Sequence, residues 1–188
     1  MSIESAKWIA RPGVWHSHGT PEDLKIVATT HHMFRFLIAT AGISSARVMV
    51  DEQGVPTFAR VEIETNSLIG ATAKLTERIA SQPILDSAKF PHIVFESNSF
   101  QPLVEGFKVS GFLQIKDRSI KKDLSIRKLT WSANEALIIK GHVDLMAAEV
   151  GIGLIKRKLL ANNLRIEFST TLEFLANPST DDSHQKLN

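Results

Sequence analysis

Seven histidines are the side chains best suited to hold a metal or move a proton here, and their spacing decides how far that idea goes. His16 and His18 stand two apart, so on a strand they share a face and could present two imidazoles to one ion. A zinc site needs three or four ligands, and the nearest acids, Glu22 and Asp23, fall in a loop and form no recognisable set with the pair. We read His16 and His18 as surface or capping residues and expect no metal. His31 and His32 would point to opposite faces of an extended chain and cannot chelate together. His92, His142 and His184 stand alone.

Catalytic patterns are equally sparse. The chain has no cysteine, which removes disulfides, zinc–thiolate sites, cysteine nucleophiles and iron–sulfur clusters. It contains no G-x-S-x-G elbow, no P-loop and no H-E-x-x-H. Gly151-Ile152-Gly153 lacks the third glycine of a dinucleotide fingerprint and reads as a turn. We expect no catalytic residues, no cofactor and no enzyme. The basic runs Lys121-Lys122 and Lys156-Arg157-Lys158 read as solvated surface, the alternative being transient contact with anionic headgroups or a partner. Aromatic residues do not interleave with them, and the net charge is only +2, so nucleic acid is not expected.

What remains is apolar volume, and the elements that must position it are strands. From Gly106, Phe107, Val109, Leu113 and Ile115 alternate with Lys108, Ser110, Gln114 and Lys116, the period of a half-buried antiparallel strand. Pro102 to Gly106 supplies the turn back to Ile93–Phe95. Leu137, Ile139, Val143 and Leu145 share a face, as do Leu164, Ile166, Phe168, Leu172 and Phe174. Phe95, Phe107, Leu113, Ile139, Val143, Ile166, Phe168 and Leu172 would then converge on one interior. The inward glycines Gly111 and Gly141 would mark where space is left. A filled core is the ordinary reading of such a set; a ligand cavity is the other.

Earlier in the chain, Trp15 suggests a first strand after a loose terminus at Ser2–Trp8, and Leu24–Thr30 a second. Phe34, Phe36 and Ile38 alternate with Met33, Arg35 and Leu37, with apolar residues on both faces, so this strand is expected to be covered on two sides. Val48 and Val50 lead into a turn at Glu52-Gln53-Gly54, followed by a strand at Ala59–Thr65 with Val61 and Ile63 inward. Asn66–Gln82 is the helical candidate, with Leu68, Leu75 and Ile79 on one face and Pro83 ending it. Alternation slips at Arg127-Lys128-Leu129, which predicts a bulge in the strand Leu124–Trp131, and a turn follows at Asn134-Glu135. Leu154–Leu160 reads as a loop or short helix. About eight strands joined by short connections argue for an antiparallel barrel or a sandwich. A chain of 188 residues suits one domain, here 1–176, and the polar stretch 177–188 reads as a disordered tail. The opening MSIESAKWIARPGVWHSHG has no apolar h-region and nothing approaches a spanning helix, so a cytoplasmic protein is expected.

The run from Ile84 to Ile126, with LD-x-x-KFP-x-I-x-F-x-S, then FKVSGFL-x-IK and L-x-I, resembles the YceI-like family. The likeness is looser over Ala59–Arg78 and Val143–Phe174. Ile84-Leu85 stand where the family usually has an aromatic pair, Asp117 where it has a glycine, and Leu75-Thr76-Glu77-Arg78 does not reproduce its Arg-Asp-x-His element. The resemblance implies an all-β, antiparallel lipocalin-like barrel of about eight strands, with one short helix covering the mouth. It also implies an apolar ligand, a polyisoprenoid or fatty-acid-like lipid. Leu75 and Ile79 of the helix would join the inward residues in contacting it, and the loop Ile84–Phe90 would help close the mouth. The runner-up is a solid-cored interaction module working through its surface, for example as a homodimer.

Overall fold

The computed structural model describes residues 10–17, 19–20, 23–29, 35–104, 106–131, 136–149 and 163–176. Residues 151–160, with the loop or short helix expected at Leu154–Leu160, the turn expected at Asn134-Glu135, His18, His31, His32, His184 and both termini lie outside them. In chain order the strands are β1 (Gly13–Ser17), β2 (Leu24–Thr29), β3 (Arg35–Ala41), β4 (Ser45–Val50), β5 (Pro56–Glu64) and β6 (Ile69–Gly70). Helix α1 (Ala73–Ala80) follows, then β7 (His92–Pro102), β8 (Phe107–Ile115), β9 (Arg118–Trp131), β10 (Leu137–Met146) and β11 (Asn163–Ala176).

These pieces make eight antiparallel ribs in a closed barrel, three of the ribs being broken in two. β11 is long enough to pair with both β1 and β2, through Trp15 with Phe174 and Leu24 with Phe168. Between them Ser17 Oγ meets Thr170 Oγ1 at 2.9 Å, and Ser169 N–H donates to the Asp23 carbonyl at 2.8 Å. β4 and β3 make the next rib, on β1 and β2 respectively, and β5 with β6 the third. From β7 to β11 each strand pairs with the next, closing the ring. Closure leaves the described ribs without a free sheet edge along most of their length.

Period-two burial builds the wall as the sequence predicts. On β8 Phe107, Val109, Leu113 and Ile115 are buried, and on β10 so are Leu137, Ile139, Val143 and Leu145. The predicted bulge is present: Lys140 pairs with Lys128 and Gly141 with Ile126, so Arg127 is the extra residue. A second bulge puts Asn98 between the Ser97 and Ser99 pairings. Such insertions bend a strand and let the sheet curl.

Three expectations are corrected. The helix is shorter than Asn66–Gln82, because Gly70 pairs with Ala39 and Ala71 N–H donates to the Ile38 carbonyl, holding the chain extended to Thr72. Only then does Thr72 cap α1, its hydroxyl accepting from Leu75 N–H at 3.2 Å. β3 is not covered on both faces: Leu37 is 46% exposed, while Ile38 and Ala39 are both buried beside a register shift. Finally, Gly111 and Gly141 do not leave empty space. A Cβ on Gly111 would lie 2.6 Å from Phe95 Cζ, and one on Gly141 2.5 Å from Phe168 Cζ. Each glycine is roofed by a phenylalanine from the adjoining strand.

The ends are closed differently. At one end Trp15 is buried edge-on to Phe174, its indole N–H donating to the Arg11 carbonyl at 2.9 Å. At the other, Ile79 of α1 and Ile84 and Leu85 just after it are buried in the core. Lys116 of the β8–β9 turn reaches the Gln82 carbonyl at 3.3 Å, tying this cap to the rim.

A methyl group on Gly111 would also lie 2.3 Å from the Glu96 carbonyl oxygen, which backbone pairing holds in place. Gly111→Ala should therefore lower unfolding free energy by about 1–3 kcal/mol, measured by urea denaturation. A loss below a few tenths would show that Phe95 moves aside freely.

Candidate functional site: an apolar cavity with an ion pair at its rim

Inward side chains of the ribs surround a cavity in which about 140 Å³ is open to the centres of water-sized spheres. One water needs roughly 10–15 Å³ on that measure, so the interior is far from plugged by its own side chains. No polar atom of the described residues faces the void. Water there would have no hydrogen-bond partners, which favours an apolar guest.

The structure brings eight of the ten predicted ligand residues onto this wall: Phe95, Phe107, Leu113, Ile139, Val143, Ile166, Phe168 and Leu172. Leu75 and Ile79 are not part of it. Leu75 is partly buried against the core and Ile79 is buried under α1; Leu68, before the helix, lines the cavity in their stead. Sequence reasoning did not assign Leu24 and Ile26 of β2, Val48 of β4, or Leu124 and Ile126 of β9. Their period-two spacing was the available signal. Ala41, Ala46 and Ala59 also line the wall, and small residues give no such signal because they say nothing about which face is buried.

Among the described residues one charged side chain, Lys122, belongs to the wall. The register sets Lys122 opposite inward Gly111, so the Lys121-Lys122 run is split across the sheet with Lys121 exposed outside. Lys122 lends the cavity its methylene stem, while its ammonium meets a Glu149 carboxylate oxygen at 2.5 Å and the Asp144 carbonyl at 3.3 Å. Only 15% of the lysine side chain is exposed. That hydrogen bond, and a second from Met146 N–H at 2.9 Å, hold the Glu149 carboxyl below the usual glutamate range. Outside the wall, Arg165 grips Asp144 in two hydrogen bonds of 2.7 and 2.8 Å, which lowers the Asp144 carboxyl and raises the guanidinium. Burial, with help from Arg165 and Arg127, pushes the His142 imidazole down.

Among the described residues no three histidines or acids gather as a metal site. His92 pairs with Glu62 at 2.9 Å on the surface. No helix of the described residues is long and apolar enough to cross a membrane. What the arrangement offers chemically is dispersion and the exclusion of water, with one cation at the edge.

The model of the YceI-like domain family matches residues 20–172. Among solved structures, BcnA of Burkholderia cenocepacia is 15% identical with a TM-score of 0.60, over 81% of this chain and 98% of that one. The Campylobacter jejuni YCEI protein is 14% identical with a TM-score of 0.56, over 69% and 81%. A polyisoprenoid binding domain from Saccharophagus degradans, implicated in plant cell wall breakdown, is 11% identical with a TM-score of 0.57, over 86% and 98%. At these identities the likeness is one of fold. No curated protein matches the chain.

Because Glu149 titrates lower when folded than the ordinary 4.5, its contribution to stability is present above that value and fades as pH falls through the folded one. Glu149→Gln should therefore be less stable than the parent at neutral pH, and the gap should close in acid. Urea denaturation on both sides of pH 4.5 measures it; a gap independent of pH would mean that the carboxylate charge is not what matters.

Proposed function

The chain belongs to the YceI-like domain family, and from that premise we propose that it binds and carries a long-chain apolar lipid, an isoprenoid or similar, inside its barrel. The observation that carries this reading is the cavity inside the barrel, onto which only apolar atoms of the described residues open. A filled barrel acting through its surface would have no use for such a void, since a cavity forfeits packing that the fold could otherwise gain. The Saccharophagus domain, a binder of polyisoprenoids, shares the architecture and so supports the ligand class.

The energetics suit a carrier. About fifteen methylenes leaving water gain roughly 12 kcal/mol, set against an association cost of about 4–15 kcal/mol. Holding is then reversible, and no catalytic group takes part. Loading brings the α1 end of the barrel to a membrane. Ile69 of β6, Leu37 of β3 and Met146 at the end of β10 stand exposed near that rim, where they can enter the interface briefly.

Native mass spectrometry and solvent extraction of the purified chain test the proposal. The expected result is one bound lipid per barrel, released by organic solvent. Ala59→Phe, which sends a ring from β5 into the void, should lower occupancy severalfold while circular dichroism still reports a β-barrel. A chain that never carries a lipid, and takes none up from vesicles, would refute the reading.

A further inference from the structure

The ladder between β9 and β10 stops before the strands do. Its last pair is Ser125 with His142, yet β9 extends to Arg118 and β10 to Met146, and these ends share no backbone pairing. Cationic side chains of β9 span the slot instead. Lys122 donates to the Asp144 carbonyl, which in a continued ladder would accept from a backbone amide. Arg118 donates to the Ala148 and Glu149 carbonyls at 3.3 and 3.4 Å. Lys122 also borders two depressions on the outer surface as well as the cavity. Lys122, beside Leu145, therefore lies between the apolar interior and solvent at this point of the wall.

We propose that the β9–β10 slot is where the polar end of the lipid sits, and that it selects an anionic head, a carboxylate or phosphate, with Lys122 as counter-ion. This rests on the lipid-carrier reading above and adds the chemistry of the head. Glu149 holds the place that this anion would take beside Lys122. It belongs to the turn after β10, with 30% of its side chain exposed, so it can swing into water when another anion arrives. Lys122 then never loses a partner, and exchanging one acid for another desolvates little that was not already desolvated. A hydroxyl cannot replace a carboxylate as acceptor on these terms, and an ammonium meets Lys122 and Arg118. The other acids nearby are engaged elsewhere: Asp144 with Arg165, and Asp123 with Lys108 at 3.1 Å and Ser110.

Displacement of the neutral probe N-phenyl-1-naphthylamine from the full chain tests this, using hexadecanoic acid, hexadecanol and hexadecylamine. The acid should compete at about tenfold lower concentration than the alcohol, with the amine weakest. Lys122→Met should bring the acid-to-alcohol ratio to about one, whereas Lys121→Met on the outer face should leave it intact. Glu149→Gln should strengthen the acid severalfold by removing its competitor, a change opposite in sign to a structural defect. Inorganic phosphate at the same concentrations should not abolish the preference for the acid. If it does, the slot is a site for free anions, and the headgroup proposal fails. Equal competition by acid and alcohol in the parent, or a preference surviving Lys122→Met, overturns the proposal while leaving the carrier intact. Failure of all three lipids to compete would refute the carrier reading itself.

Discussion

Closure of the hydrogen-bonded ring is the constraint on which everything else depends. A sheet with free edges can flatten, or fold into two layers and fill its own interior. Here β11 must satisfy β10 along one side and both β1 and β2 along the other. The Ser17–Thr170 hydroxyl pair and the Ser169–Asp23 backbone bond sit at the junction between those two partners. They keep the break in the first rib from becoming a gap in the wall. With the circumference fixed in this way, inward side chains can approach the axis only as far as their own lengths allow.

The bore is then set by which inward residues are long and where they lie down. Phe95 and Phe168 lie over Gly111 and Gly141, so their rings cover the sheet and do not block the axis. This arrangement stabilises the strand glycines, which lack side chains of their own to pack. It also lets two large apolar residues count as wall. Alanines at Ala41, Ala46 and Ala59 keep the wall thin on β3, β4 and β5. The void therefore follows from paired choices across neighbouring strands. Simple substitution of small residues for large ones would not produce it.

Strand faces were legible in the sequence wherever alternation was clean, as on β8, β10 and β11, and the slip at Arg127 marked a real bulge. The cavity residues on those strands followed from the same period. What could not be read was long-range pairing. Leu68, Leu75 and Ile79 fit a helical period, but Gly70 is claimed by Ala39, thirty-one positions earlier in the numbering, and this shortens the helix. Adjacent lysines look like one solvated patch until the register with Gly111 turns one of them inward. Glycine spacing suggested room, because sequence alone does not show a phenylalanine leaning across from the next strand.

Charge at the edge of a greasy interior needs a reason, since Lys122 gives up hydration without the apolar gain a leucine would bring there. Its pairing with Glu149 offsets that loss, yet a partly exposed ion pair adds little stability of its own. The residue stands where the ladder opens, and there the Asp144 carbonyl facing β9 accepts from a side chain, which can move, where a backbone amide would be fixed. Replacing rigid pairing by a flexible cation holds the wall together and makes this the segment that opens at least cost. The interrupted pairing of β9 with β10 is thus the structural complement of the closure that makes the cavity possible.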